Sequence, residues 1–344
     1  MPAGKRHSVR LAEVAKRAGV STATVSRVLN GHAYVSEAVR SSVLAVVDEL
    51  NYHPSAAAQV LASGRTRTVG IAVFGLVPNF LSHELFYEIL QGIQAVASEA
   101  GYDLQLYATP AAPDLPLCRR IAGKRSADGL LVLGELVRPE FLEVFHAAGL
   151  PVVTIGKRET GGLPVPCATA DYFQGAFAAT QHLLRLGHRR IAAMQAFSGW
   201  LPDAERLAGY QTALVEAGVA ADPALVLQGG GDRHAAFHMT QRFLELHPDV
   251  TAMLAMSDVM AFGVLEAARA LDRRVPGDLA LVGFGDVPSA ALVQPPLTTV
   301  HLPKVELGRI GTELLLRLLQ GESVPLQTVL PTALVVRESC GGHM

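Results

Sequence analysis

The run from Val20 to Asn30, VSTATVSRVLN, sets hydrogen-bonding side chains at Ser21, Thr22, Thr24, Ser26 and Arg27 among apolar Val25, Val28 and Leu29 at helical spacing. Short hydroxyls suit phosphate oxygens, arginine suits guanine or phosphate, and the methyl of Ala23 suits thymine. A helix with an apolar inner face and short polar residues outside is the kind that enters the DNA major groove. Little else in the chain offers chemistry. Asp232, His234 and His238 contain an H-x-x-x-H pair, but no glutamate stands between the histidines, and the stretch reads as a solvated face. QGGGDR lacks both the dinucleotide fingerprint and the P-loop lysine, and no G-x-S-x-G elbow is present. The expectation is a protein with no catalytic centre, no metal and no resident cofactor.

Composition agrees with a binding protein. The chain has 344 residues, half of them hydrophobic, enough for two or three domains. No run approaches the ~20 apolar residues of a membrane span. TVGIAVFGLVP reads as a buried strand. The N-terminal residues lack an apolar signal core, and Cys118, Cys167 and Cys340 are scattered, which fits a reducing cytoplasm. Net charge is only −2, but residues 1–67 hold nine Lys/Arg against four Asp/Glu. A basic end on an acidic body points to a separate polyanion-binding head.

The elements that position these residues follow from periodicity. Three helices are predicted over residues 11–18, 21–30 and 36–50, with Ser21 and Ser36 as caps and Gly19 ending the first. Helix, tight turn and second helix make a helix-turn-helix. From Thr68 apolar strands (VGIAVF, DLQLYA, DGLLVL, PVVTIG, RIAAMQA, TAMLAMS, LALVGFG) alternate with amphipathic helices near 84–100, 138–149, 173–187, 204–217, 234–246, 259–271 and 304–320. Such alternation argues for an α/β body of two doubly wound parallel sheets, with ligand at the carboxyl ends of the strands.

RLAEVAKRAGVSTATVSRVLNGHAYVSEAVRSSVLAVVDELNYHPSAAAQVLASGRTRTVGI resembles the head and hinge of the lactose-repressor (LacI/GalR) family of transcription regulators. The likeness continues in HLLRLGHRRIA, RLAGYQTAL, SDVMAFGVLEAARALDRRVPGDLALVGFGDVP and PPLTTVHLP. It implies a three-helix head over 1–54, a hinge helix and linker over 55–67, and a core over 68–344 resembling periplasmic binding proteins. The core's subdomains would span about 68–167 with 299–330, and 168–298 with 331–344. The resemblance assigns base reading to Thr22, Ala23 and Arg27. It assigns backbone contacts to Ser21, Thr24, Ser26, Asn30 and Tyr34. The hinge would contribute Ser55, Ala58, Gln59 and Leu61, the leucine wedging into the minor groove at a few kcal/mol of unstacking. Arg10 stands where the family usually has threonine and is expected on phosphate. The implied partners are double-stranded operator DNA, a small-molecule effector and a second copy of the chain.

The resemblance also places an effector between the subdomains. Arg206 matches the arginine that grips ligand oxygens, Ser257 and Asp258 lie in the matching MSDVMA segment, where the aspartate is expected to support the pocket structurally, and Phe86 matches an aromatic near the cleft. Gly156, Gly231 and Gly285 stand where sugar-binding members carry acidic groups or a stacking ring, with Asp286 one position late. Lys157 and Arg158 remain basic, and Trp200 can supply a replacement ring. Fewer carboxylates and retained cations favour an anion, so the expected effector is a sugar or, more narrowly, a sugar acid such as gluconate or a phosphorylated sugar. A ligand-binding transport protein and an α/β dehydrogenase are the rival readings. The basic head counts against the first, and the missing phosphate fingerprint against the second.

Overall fold

The computed structural model describes residues 11–29, 34–52, 64–75, 84–108, 113–196 and 199–342. The chain divides into two compact units, Met1–Thr66 and Arg67–Met344.

In the first unit α1 (Leu11–Ala18), α2 (Thr22–Leu29) and α3 (Glu37–Glu49) enclose Val14, Ala15, Val25, Val28, Val43 and Tyr52, all buried. The turn between α1 and α2 requires Gly19, whose φ of 67° is left-handed. Ser21 caps α2, its Oγ accepting from the Thr24 amide at 3.1 Å. Ser36 occupies the N-cap position of α3, but its side chain makes no capping bond. Arg10, Asn30, Ser55, Ala58, Gln59 and Leu61 lie outside the described residues, as does most of the expected hinge.

Among its described residues the second unit contains two six-stranded sheets. The first is wholly parallel, ordered β11-β5-β4-β3-β1-β2, with β1 Thr68–Val73, β2 Asp103–Ala108, β3 Gly129–Leu133, β4 Val152–Ile155, β5 Cys167–Ala170 and β11 Gln327–Leu330. The second is ordered β12-β10-β9-β8-β6-β7, with β6 Ile191–Gln195, β7 Val226–Gln228, β8 Ala252–Ala255, β9 Ala280–Gly285, β10 Thr298–His301 and β12 Ala333–Val335. It is parallel except where β12 runs against β10. The layers around the sheets are α4 (Glu84–Glu99), α5 (Leu115–Lys124), α6 (Pro139–Ala147), α7 (Tyr172–Arg185), α8 (Leu201–Glu216), α9 (Arg233–Leu246), α10 (Asp258–Ala270) and α11 (Lys304–Leu319). Central strands such as β3 and β4 are buried at every residue, which is why they read as continuous apolar runs.

The sheets correct the expected subdomain boundaries. Residue 167 does not end the first subdomain, because Cys167–Ala170 forms β5 between β4 and β11. Residue 299 does not return to it, because Thr298–His301 pairs with β9 and β12. The chain therefore crosses at Asp171, again between His301 and Lys304, and a third time at Pro331–Thr332. Two of these crossings are bonded together: the Asp171 amide donates to Leu330 O at 2.9 Å, and Thr332 Oγ1 donates to Asp171 O at 3.1 Å.

Helix pairs pack closely where a glycine of one meets the backbone of the other. A Cβ on Gly92 of α4 would stand 1.9 Å from Val305 O, and one on Gly308 of α11 2.1 Å from Ile89 O. Only glycine allows that approach.

Candidate functional site

On the head, the side chains expected to meet DNA lie on the outer side of α2 and beyond it. Ser21, Thr22, Ala23 and Arg27 are assigned to that surface, with Ser21, Thr22 and Ala23 exposed, Thr24 and Ser26 half-buried, and Tyr34 99% exposed. Ser21 and Thr24 hydroxyls bond each other at 2.9 Å, which orients both. Val25 and Val28 meanwhile fix α2 on the core of the head. One face of the helix is thus spent on packing and the other carries donors, acceptors and a methyl group.

The second site is a cavity of about 130 Å³ at the carboxyl ends of the strands, between the two sheets of the core. Trp200, Arg206 and Ser257 line it, together with Gly156 and Gly231. Trp200 is the N-cap residue of α8 and Arg206 lies in its second turn. Arg206 is 5% exposed and its guanidinium sits over three rings, 4.4 Å from the Phe284 centroid, 4.6 Å from Tyr172 and 5.6 Å from Trp200. Fully buried Asp203 holds it, accepting from Nη1 at 2.8 Å, and Asp203 is itself fixed by the Ala196 amide at 2.7 Å. Arg206 Nε and Trp200 Nε1 are buried and make no hydrogen bond among the described residues. An orphaned guanidinium N–H on the wall of a cavity is the arrangement that suits a ligand oxygen.

Four expected effector residues do not reach the cavity. Phe86 is buried in the core, and its neighbours Leu85 and Ile89 form the wall instead. The helix turns the adjacent side chains, not Phe86, toward the cleft. Lys157 pairs with Glu205 at 2.6 Å, a bond that raises its pKa, while Arg158 lines the cavity. Gly156, at φ 85°, turns the chain just before them. Asp258 lies behind the wall, accepting from Thr299 Oγ1 at 2.5 Å and the Val287 amide at 2.9 Å. Burial pushes its carboxyl up to about 6. Asp286 is held by Arg337 at 2.7 Å and His301 at 2.9 Å. Burial raises its pKa, but those two bonds outweigh it and the net shift is downward.

The structure also explains why two acidic groups are missing. A Cβ at Gly156 would stand 2.9 Å from Arg158 Nη1, and one at Gly285 3.2 Å from Asp258 Oδ2. Gly285 also adopts φ 138°. Both glycines hold a positive φ, which strains any other residue there. Arg158 is spent on the backbone, donating to Gly134 O at 3.0 Å and Lys157 O at 2.7 Å, and burial lowers its pKa. Its guanidinium lies 5.7 Å from the Trp200 ring centroid.

Residues not foreseen from sequence complete the wall. Lys304, 2% exposed, donates to Gly285 O at 2.6 Å and Asp286 O at 2.8 Å and pairs with Glu88 at 2.8 Å. Tyr172, Phe284 and Glu135 also line the cavity. These aromatic and acidic positions carry no spacing signal, because strands and helices distant in sequence bring them together. His234 and His238 stand edge to face at the start of α9, Nε2 to Nε2 at 3.2 Å, and Asp232 is occupied in capping that helix.

Known proteins resemble the chain over both units. Residues 10–55 match bacterial regulatory proteins of the lacI family, and residues 180–340 match a periplasmic binding protein-like domain. The HTH-type transcriptional regulator CelR of Thermobifida fusca is 34% identical over 339 residues, 97% of this chain and 99% of CelR. The chain belongs to the LacI family. It is a DNA-binding transcriptional regulator with an effector-binding core, and its family consists of regulators rather than enzymes. A CelR–cellobiose complex is 33% identical, covers 96% of this chain and 99% of its own, and superposes with a TM-score of 0.74. A Lac repressor dimer bound to operator and the anti-inducer ONPF is 28% identical, with the same coverage and a TM-score of 0.83. In this LacI-family chain the outer face of α2 is the candidate recognition surface and the cavity around Arg206 the candidate effector site. Among the described residues no helix is long and apolar enough to cross a membrane.

Proposed function

We propose that this regulator is a cytoplasmic repressor that binds a pseudo-palindromic operator as a homodimer. One α2 reads only half of such a site, and two heads related by a twofold axis read both. Thr22, Ala23 and Arg27 read base edges, while Ser21, Thr24, Ser26 and Tyr34 hold the phosphate backbone. We further propose that a small effector with an acidic group occupies the core cavity. The observation that carries this is the buried Arg206 guanidinium, fixed by Asp203 and left with an unpartnered Nε on the cavity wall. Effector and operator are then linked: each changes the affinity of the other by the same factor.

The test is a titration of the full chain with a palindromic duplex by fluorescence anisotropy across a series of salt concentrations. The expected result is affinity falling steeply with salt and lost on deleting residues 1–63, because phosphate contacts release counterions. Adding an effector should shift that affinity, and Arg206→Met should abolish the shift without changing affinity in its absence. Salt-independent binding, or binding retained without the head, would refute the reading.

A further inference from the structure

The hydrogen-bonding capacity of the cavity differs from what a sugar requires, and this deepens the anionic-effector reading on which it rests. Lys304 has three partners already, in Gly285 O, Asp286 O and Glu88. Arg158 is committed to backbone carbonyls of its own subdomain. Among the described residues, the buried side-chain atoms on the wall that make no hydrogen bond are two donors, Arg206 Nε and Trp200 Nε1, and one acceptor, Glu135 Oε2. Much of the remaining wall is hydrocarbon, including Leu85, Ile89, Leu133, Ile155, Leu302 and Leu307. A polyhydroxylated ring brings a donor at every hydroxyl, and each buried hydroxyl without an acceptor costs free energy. Ser257, Tyr172 and Glu135 cannot serve so many. A carboxylate brings only acceptors, which two N–H donors suit.

From this pattern we infer that the effector is a compact organic carboxylate with an apolar, ring-sized body rather than a polyol. The carboxylate oxygens lie on Arg206 Nε and Trp200 Nε1, and the body lies against the leucine and isoleucine wall. The cavity volume of about 130 Å³ suits a body near the size of benzene. The fully buried Asp203 neutralises Arg206 at 2.8 Å, so selectivity comes from matched donors more than from net charge.

The experiment is isothermal titration of the full-length protein with benzoate, phenylacetate, 3-methylbutanoate, benzamide, gluconate and glucose. Trp200, the single tryptophan, serves as a fluorescence reporter in parallel. The inference predicts that at least one apolar acid binds about tenfold or more tighter than benzamide and gluconate, a tenfold ratio being ~1.4 kcal/mol. Trp200→Phe keeps an aromatic ring, removes one donor and should weaken that acid about tenfold while leaving the fold intact. Gluconate binding tighter than every apolar acid would overturn the inference and leave the anionic reading standing. Binding of glucose with no binding of any acid would overturn both. Benzamide matching benzoate, or no apolar acid saturating the protein below about 1 mM, would also overturn the inference.

Discussion

Replacing Arg206 by Met should cost the core stability through Asp203 more than through the lost cation. Asp203 is fully buried, and its carboxylate accepts from Arg206 at 2.8 Å and from the Ala196 amide at 2.7 Å. Removing one partner of a buried pair costs about 3–5 kcal/mol, because the other charge is left uncompensated. Here the amide remains, and Asp203 lies in the first turn of α8, where the helix dipole offsets up to ~2 kcal/mol. The expected loss is therefore about 3 kcal/mol, near the lower end of that range. Asp203→Asn should be destabilising in the wild-type background. In the Arg206→Met background it should be neutral or stabilising, because it removes the stranded charge. Urea unfolding followed by Trp200 fluorescence measures both, since that ring lies 5.6 Å from the Arg206 guanidinium. A cost below about 1 kcal/mol for Arg206→Met, or an equal effect of Asp203→Asn in both backgrounds, would refute the claim that the pair is coupled and buried.

Three further outcomes test other parts of the structure. Arg27→Ala should weaken operator binding by about 1–3 kcal/mol and relax selectivity at one base pair per half-site, as read by anisotropy on single-substitution duplexes. Asp258 has its carboxyl raised from 3.8 to about 6, so its neutral form is the one favoured by folding. Its contribution is full below about pH 4 and falls by about 3 kcal/mol as pH rises through 6. Wild-type stability should therefore drop relative to Asp258→Asn between pH 4 and 7, and a constant difference between the two would contradict the assignment. Gly308→Ala should cost about 2 kcal/mol or more, because its Cβ would meet Ile89 O at 2.1 Å, whereas a Cβ at Gly123 of α5 meets nothing within 4 Å and Gly123→Ala should stabilise by about 0.5–1 kcal/mol. Thermal or urea unfolding of the two variants reads both signs.

The head is legible in sequence because its signal is local. Gly19, Ser21 and the valine spacing in one short run decide a turn, a cap and a packed face. The long central strands are equally legible, since burial on both faces leaves an apolar run. The short β5, β7, β10, β11 and β12 are not, because CATA, VLQ, TTVH, QTVL and ALV offer no apolar run beyond three residues. Helix α5 is hidden by Pro116, which is tolerated in its first turn where Asp114 caps the Leu117 amide at 2.8 Å. Arg206 follows from resemblance and Trp200 from ring chemistry. Choosing Arg158 over Lys157 as the cavity residue requires the backbone turn at Gly156, a φ that a residue list does not display. Glu135, Tyr172, Phe284 and Lys304 come from four separate segments, and only the two sheets bring them to one wall.

The central claim is that a sequence-reading dimer is controlled from the core cavity. Its most direct test is selection of duplexes from a random DNA library with the full-length protein at near-physiological salt, with and without the tightest acid from the titration. The account predicts enrichment of one pseudo-palindrome, with a yield that the acid changes in wild type and leaves unchanged in Arg206→Met. No enrichment under either condition, or an enriched site whose recovery ignores the acid, would contradict it.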